Sequence, residues 1–156
     1  MNTPIRLILF VAGIVAALMM AAAVSGYELT ITAEDGRVLW RLPVRPLMSV
    51  VLTYTNSIYG AATEERFTAG SRGLELNSVA STSESVLAYN ALPAPYAKEG
   101  AYLVAETKRI IPALVVRIGQ TGRQQLIVGD AVLPLYTAGT GAQVRIEVLR
   151  RRSIFR

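Results

Sequence analysis

The sequence of 156 residues contains no cysteine and no histidine. The missing thiols exclude disulfides, thiolate metal sites and cysteine nucleophiles. The missing imidazoles exclude the usual zinc sites, the Ser-His-Asp triad and a proton shuttle near neutral pH. Glu64 and Glu65 are adjacent, so in a strand their carboxylates point to opposite faces and form no catalytic dyad. We therefore expect no catalytic residue, no metal and no cofactor, and we predict that the protein is not an enzyme.

Net positive charge is also low outside the C-terminus. The net charge is +5, and residues 145–156, with five arginines and one glutamate, account for +4 of it. The remainder lacks the basic face of a nucleic-acid-binding domain, so no nucleic-acid partner is expected. We treat residues 150–156 as a basic C-terminal tail that is solvated; contact with anionic lipid headgroups is the alternative.

Residues 7–24 contain eighteen consecutive uncharged residues after Arg6. A membrane-spanning helix needs roughly 20 mostly apolar residues, so residues 1–26 are predicted to be a transmembrane anchor or a signal peptide. Small residues at 21–25 have a spacing compatible with signal-peptide cleavage, so both readings stay open. Arg6 favours a cytoplasmic N-terminus. The prediction is a single-pass protein of the cell membrane with its folded part on the extracytoplasmic side, or a secreted protein if the helix is cleaved.

Residues 27–149 alternate apolar and polar side chains with period two, as in YELTITA at 27–33. This alternation is typical of half-buried strands. Gly129-Asp130 between two apolar runs predicts a two-residue hairpin. Turns recur about every ten residues, which predicts an all-β domain, a small antiparallel β-sandwich or barrel. A short strand near 84–89, followed by a long loop, is also expected.

The stretch YTNSIYGAATEERF, residues 54–67, places polar side chains on the apolar face of a predicted hairpin. Pairing Tyr54 with Phe67 sets Asn56 opposite Glu65 on the inner side, because antiparallel partners have a constant index sum. A slip of two residues would keep the faces and change the partners.

An inward carboxylate needs a partner, and the amide N–H of Asn56 is a suitable donor for Glu65. Three readings remain open for Asn56, Ser57 and Glu65. They are polar residues of a solvated hairpin tip, a half-buried structural pair, or part of a binding site.

The order of these residues resembles that of the DUF1850 family of bacterial and archaeal proteins. In that family an LPV-like segment leads into a strand that ends in His-Ser, and a Glu and an aromatic residue follow at fixed spacing. Asn56 stands where the family carries His, and residues 90–93 are a reduced form of a family segment. The matching residues here are Leu42-Pro43-Val44, Tyr54, Asn56-Ser57, Glu65, Phe67, Arg109, the strand at 114–118, Leu133-Pro134-Leu135-Tyr136 and Gly141-Ala142-Gln143-Val144.

The resemblance implies a small anchored or secreted β-domain over residues 27–149 without an assigned biochemical activity. Members of the family often accompany TAXI-type TRAP transporters, which import organic acids with a binding protein and a membrane permease. The implied function is an accessory component of such an import system, with the lipid bilayer and the TRAP permease or its substrate-binding protein as partners. Its contact surface would be the segment 80–100 or the hairpin tip. The alternative is a stand-alone extracytoplasmic module that binds a small solute.

Overall fold

The structure is a computed structural model that describes residues 26–151. These residues form antiparallel sheets with one short α-helix, which confirms the all-β prediction. The predicted membrane segment up to residue 25 and tail residues 152–156 lie outside the described part. Within residues 26–151, no helix has the length and apolar character needed to cross a membrane.

Eleven strands account for most of the described residues. They are β1 (Tyr27–Ala33), β2 (Val38–Val44), β3 (Ser49–Asn56), β4 (Ala61–Gly70), β5 (Gly73–Ser81), β6 (Ala97–Glu99), β7 (Tyr102–Ile111), β8 (Ala113–Arg117), β9 (Gln125–Val128), β10 (Ala131–Pro134) and β11 (Gln143–Arg150). Helix α1 (Glu84–Tyr89) follows β5, and a 3-10 turn (Leu135–Ala138) follows β10.

The strands form two sheets that pack as a sandwich. The small sheet has the order β2-β1-β11-β8 and the large sheet has the order β10-β9-β3-β4-β5-β7-β6. One continuous core lies between them, because the inward side chains of both sheets belong to a single cluster. Its largest fully buried members include Leu29, Ile31, Phe67, Leu126 and Ile146.

The alternation in the sequence explains which face each strand buries. In β11, Val144, Ile146 and Val148 are buried while Arg145 is exposed, as the period of two predicts. The Gly129-Asp130 hairpin is also confirmed, since Val128 pairs with Ala131. Gly129 has a φ of 56°, in the left-handed region that glycine adopts without strain.

The segment near 84–89 differs from the sequence prediction. It is the helix α1, not a strand, and it buries Val86 and Leu87 completely. Two adjacent buried residues do not alternate, so they fit one side of a short helix better than one face of a sheet. The chain leaves the sheet at Ser81, and the helix then covers the core next to β5.

The pairing of β1 with β11 gives the sandwich two distinct ends. Tyr27 pairs with Arg150, and the N–H of Arg151 donates to the carbonyl oxygen of Gly26 at 2.9 Å. We call the end that carries Gly26 and Arg151 the terminal end; the link 45–48 and the turns at 71–72 and 129–130 lie there as well. We call the opposite end, with the β3–β4 loop at 57–60, the distal end.

Candidate functional site

The β3–β4 hairpin has a different register from the one predicted. Tyr54 pairs with Thr63 and Leu52 pairs with Glu65, so the predicted pairing of Tyr54 with Phe67 is wrong by four residues. The cause is a short loop: residues 57–60 close the hairpin, and the residues after them join the strand instead of forming a longer tip. Because the displacement is even, every side chain stays on its predicted face.

Asn56 organises this loop and does not contact Glu65. Its side-chain Oδ1 accepts hydrogen bonds from the N–H of Ile58 at 3.0 Å and of Tyr59 at 3.1 Å. The N–H of Gly60, which has a φ of 62°, donates to the Asn56 carbonyl oxygen at 2.8 Å. Asn56 therefore uses an oxygen as an acceptor, where the sequence predicted its N–H as a donor. Ser57 is exposed in the same loop.

Glu65 shares the inner face of β4 with Phe67 and is half-buried. The Tyr54 hydroxyl donates to Glu65 Oε1 at 2.9 Å. Tyr54 stands opposite Thr63, so Glu65 is its diagonal neighbour, within reach of a long aromatic side chain. Tyr54 is thus the partner of the inward carboxylate, in place of Asn56.

The environment perturbs the acidity of both groups. Burial raises the pKa of Glu65 above its usual range, although the hydrogen bond from Tyr54 and the positive charge of Arg109 lower it. Burial raises the pKa of Tyr54 as well, and the neighbouring carboxylate adds to the effect. The phenol therefore stays protonated and remains a donor to the carboxylate.

Two further polar side chains lie next to this pair on the inner face. Thr63 and Ser81 are almost completely buried, and their hydroxyl oxygens are 3.2 Å apart. The Ser81 hydroxyl also donates to the carbonyl oxygen of Ala62 at 3.2 Å. Sequence reasoning missed both residues because the predicted register left Thr63 in the loop. An index sum of 117, in place of 121, would have placed Thr63 opposite Tyr54.

A cleft of about 180 Å³ opens beside Tyr54 near the distal end. Its lining includes Tyr54, Thr63, Tyr102 and Arg123, but not Asn56, Ser57 or Glu65. The three predicted binding residues therefore do not form one pocket. The volume is below the several hundred Å³ of common ligand pockets, so the cleft suits a ligand of few atoms.

The residues of the described range show no arrangement suited to a metal ion. No group of three acidic side chains in 26–151 is close enough to hold one. The site around Glu65 instead combines one desolvated carboxylate with hydroxyl groups, and these groups interact through hydrogen bonds.

An apolar surface, which we call the distal patch, consists of Ile58, Tyr59 and Tyr89. Ile58 is 64% exposed and Tyr89 is 66% exposed. The rings of Tyr59 and Tyr89 meet edge to face with centroids 6.4 Å apart. The hairpin tip and the segment 80–100, which the sequence offered as alternative contact surfaces, thus form one surface here.

The role of Asn56 predicts a difference between two substitutions. Asn56→Ala should lower the free energy of unfolding by about 1 kcal/mol, because two loop N–H groups lose their acceptor. Asn56→Asp keeps the acceptor and should stay within about 0.5 kcal/mol of the wild type. Urea unfolding measures both. Equal losses for the two variants would show that the amide N–H matters, contrary to the observed hydrogen bonds.

The raised pKa of Glu65 predicts a pH-dependent effect of Glu65→Gln. The folded state holds the Glu65 proton more tightly than the unfolded chain, so ionised Glu65 costs stability above its folded pKa and nothing below its unfolded pKa. Glutamine is neutral and still accepts from Tyr54. The gain in unfolding free energy over the wild type should therefore be larger at about pH 8 than at about pH 4.

Chemical denaturation at the two pH values measures this gain. The matched control is Glu106→Gln, at an exposed carboxylate of β7. Its effect should be small and the same at both pH values. A Glu65→Gln effect that does not grow between the two pH values would contradict the assignment of a desolvated carboxylate.

Comparisons of the chain with known protein families, with curated proteins and with solved structures found no match. The resemblance to the DUF1850 family, and the binding role of Asn56, Ser57 and Glu65, therefore stay predictions from the sequence.

Proposed function

We propose that the protein is a membrane-anchored extracytoplasmic β-domain that serves as an accessory component of a TAXI-type TRAP import system. The proposal gives it no catalytic role. Three features support it: the uncharged run 7–24 that precedes the domain in the sequence, the resemblance of residues 27–149, and the distal patch. The distal patch carries the most weight because it is a surface that a partner protein could cover.

The position of the distal patch favours a soluble partner over a membrane-embedded one. Strand β3 has eight residues, and at about 3.3 Å per residue it separates the two ends of the sandwich by roughly 25 Å. With the chain anchored through residues 7–24, Gly26 keeps the terminal end near the bilayer and the patch points away from it. A soluble substrate-binding protein can contact a surface at that distance from the bilayer, so we propose it as the partner.

The composition of the patch suits such a contact. Tyr59 and Tyr89 are aromatic residues of the kind that is enriched at the centre of protein interfaces. Their edge-to-face contact holds both rings in place before binding, which reduces the side-chain entropy lost on association. Ile58 adds an aliphatic side chain beside them.

Co-purification from native membranes tests this proposal. The wild type should recover the substrate-binding protein. The double variant Ile58→Ser with Tyr59→Ser should recover at least about tenfold less of it, because the variant removes two apolar anchors. The control is Val132→Ser, at a residue of β10 that is 55% exposed. It should leave recovery unchanged.

The outcomes separate the parts of the proposal. Wild-type protein that recovers neither a binding protein nor a permease removes the basis of the transport function. Recovery of a permease that the patch variant does not reduce contradicts the distal patch as the contact surface and the soluble protein as the partner.

The second candidate function is a stand-alone module that binds a small solute, and the cleft favours it. Arg123 supplies a positive charge to the cleft, and Thr53 and Thr55 supply hydroxyl groups. These groups suit the carboxylate of a small organic acid. The carboxylate of Glu64 also lines the cleft, but it is paired with Arg66. Arg123 also has a φ of 45°, which is uncommon for a residue other than glycine and is often found at ligand sites.

Thermal-shift measurements with small organic acids and amino acids test this second candidate. A ligand should raise the melting temperature of the wild type, and Arg123→Asn should abolish the rise, because asparagine tolerates the left-handed backbone but lacks the charge. The control, Arg117→Asn, replaces an exposed arginine that does not line the cleft. No rise with any of these compounds would argue against a solute site.

A further inference from the structure

The terminal end carries an unusually exposed leucine in a fixed backbone position. Leu47 is 85% exposed, the highest value among the large exposed hydrophobic residues of the described range. Its φ of 66° lies in the left-handed region, which a leucine adopts only when its surroundings impose it. The N–H of Leu47 donates to the carbonyl oxygen of Ala69, and the N–H of Ala69 donates to that of Met48, both at 2.9 Å. The fold therefore holds this side chain out in solvent.

Arginine side chains accompany the leucine at the same end. Arg45 lies two residues before it in the link, Arg72 lies in the β4–β5 turn, and Arg150 and Arg151 end the described chain. All four are exposed, and none forms an ion pair with a carboxylate of residues 26–151. The links and turns of this end contain one acidic residue, Asp130, so the four arginines and Asp130 together have a net charge of +3.

The chain before Gly26 indicates what this surface would face. The apolar run ends at Val24, and each residue spans at most about 3.6 Å, so Tyr27 lies within about 11 Å of the end of the run. The Debye length at physiological ionic strength is about 8 Å. With residues 7–24 in the bilayer, the guanidinium groups of the terminal end lie within reach of the lipid phosphates.

We infer that the terminal end is a membrane-contact surface, in which Leu47 enters an anionic phospholipid bilayer and the four arginines bind its phosphates. An apolar tip at the same end as four arginines matches the layered chemistry of an interface, with acyl chains beneath charged headgroups. The inference rests on the anchor in the proposed function and extends it. The contact holds the domain upright, with the distal patch away from the membrane.

Site-specific fluorescence on the full chain in nanodiscs tests the inference. The protein has no cysteine, so Leu47→Cys carries a single environment-sensitive fluorophore without further changes. The matched control is Ile58→Cys in the β3–β4 loop at the distal end, where the native residue is 64% exposed. In discs with anionic phospholipid, the probe at 47 should shift to the blue, and a quencher on the acyl chains should quench it several-fold more than the probe at 58.

Charge dependence is the second readout. Arg45→Gln, Arg72→Gln and Arg150→Gln combined should reduce quenching of the probe at 47 to the level of the probe at 58. Three matched exchanges outside the terminal end, Arg37→Gln, Lys98→Gln and Arg117→Gln, should leave it unchanged. Added salt and discs of zwitterionic lipid alone should both reduce the quenching in the parent protein.

The outcomes distinguish this surface from the anchor. If the protein remains with the discs and the probes at 47 and 58 are equally quenched, the membrane-contact surface is overturned and the anchor stands. If the protein separates from the discs on gel filtration, the anchor is overturned, and this inference with it.

Discussion

The fold depends on the pairing of β1 with β11, which joins the two ends of the described chain. Seven residue pairs connect strands that are more than a hundred residues apart in the sequence. Closing so long a loop costs entropy, but the cost grows only with the logarithm of its length. Burial of Leu29 and Ile31 against Val144 and Ile146 offsets it. These two strands are the centre of the small sheet, so without them the inner face of the large sheet would have no cover.

The inner face of the large sheet changes from apolar to polar along its length. The terminal half carries Phe67 and Val50, whereas the distal half carries Glu65, Thr63 and Ser81. Each of these polar groups has a partner, because a buried group without a hydrogen bond costs stability. The carboxylate still carries a desolvation cost that a hydrophobic residue would avoid. Perturbed acidic groups of this kind cluster at functional sites, which is why this region is the candidate site.

The same strand pairing also separates two surfaces of different chemistry. The terminal end is cationic with one protruding leucine, and the distal end is apolar and aromatic. Since Gly26 and Arg151 are neighbours, anything attached through either terminus approaches the same end. The distal patch and the cleft beside Tyr54 then remain open to the aqueous phase. The two proposed contacts therefore do not compete for one surface.

The sequence by itself determined the all-β class, the faces of the main strands, the Gly129-Asp130 hairpin and the inward direction of Glu65. Alternation with period two carries this information because it survives any even slip between strands. For that same reason it could not decide the register of the central hairpin, nor that Tyr54 is the partner of Glu65. A loop of four residues, closed by the Asn56 oxygen, made that choice.

The tertiary structure also decided features that depend on residues far apart in the chain. Helix α1 forms where two adjacent apolar residues could be buried together against β5, which no local alternation predicts. The charge of Arg109 reaches Glu65 only because β7 and β4 lie on either side of β5 in one sheet. Local patterns report which side of a strand is buried, whereas the neighbours of a buried group follow from strand order and loop length.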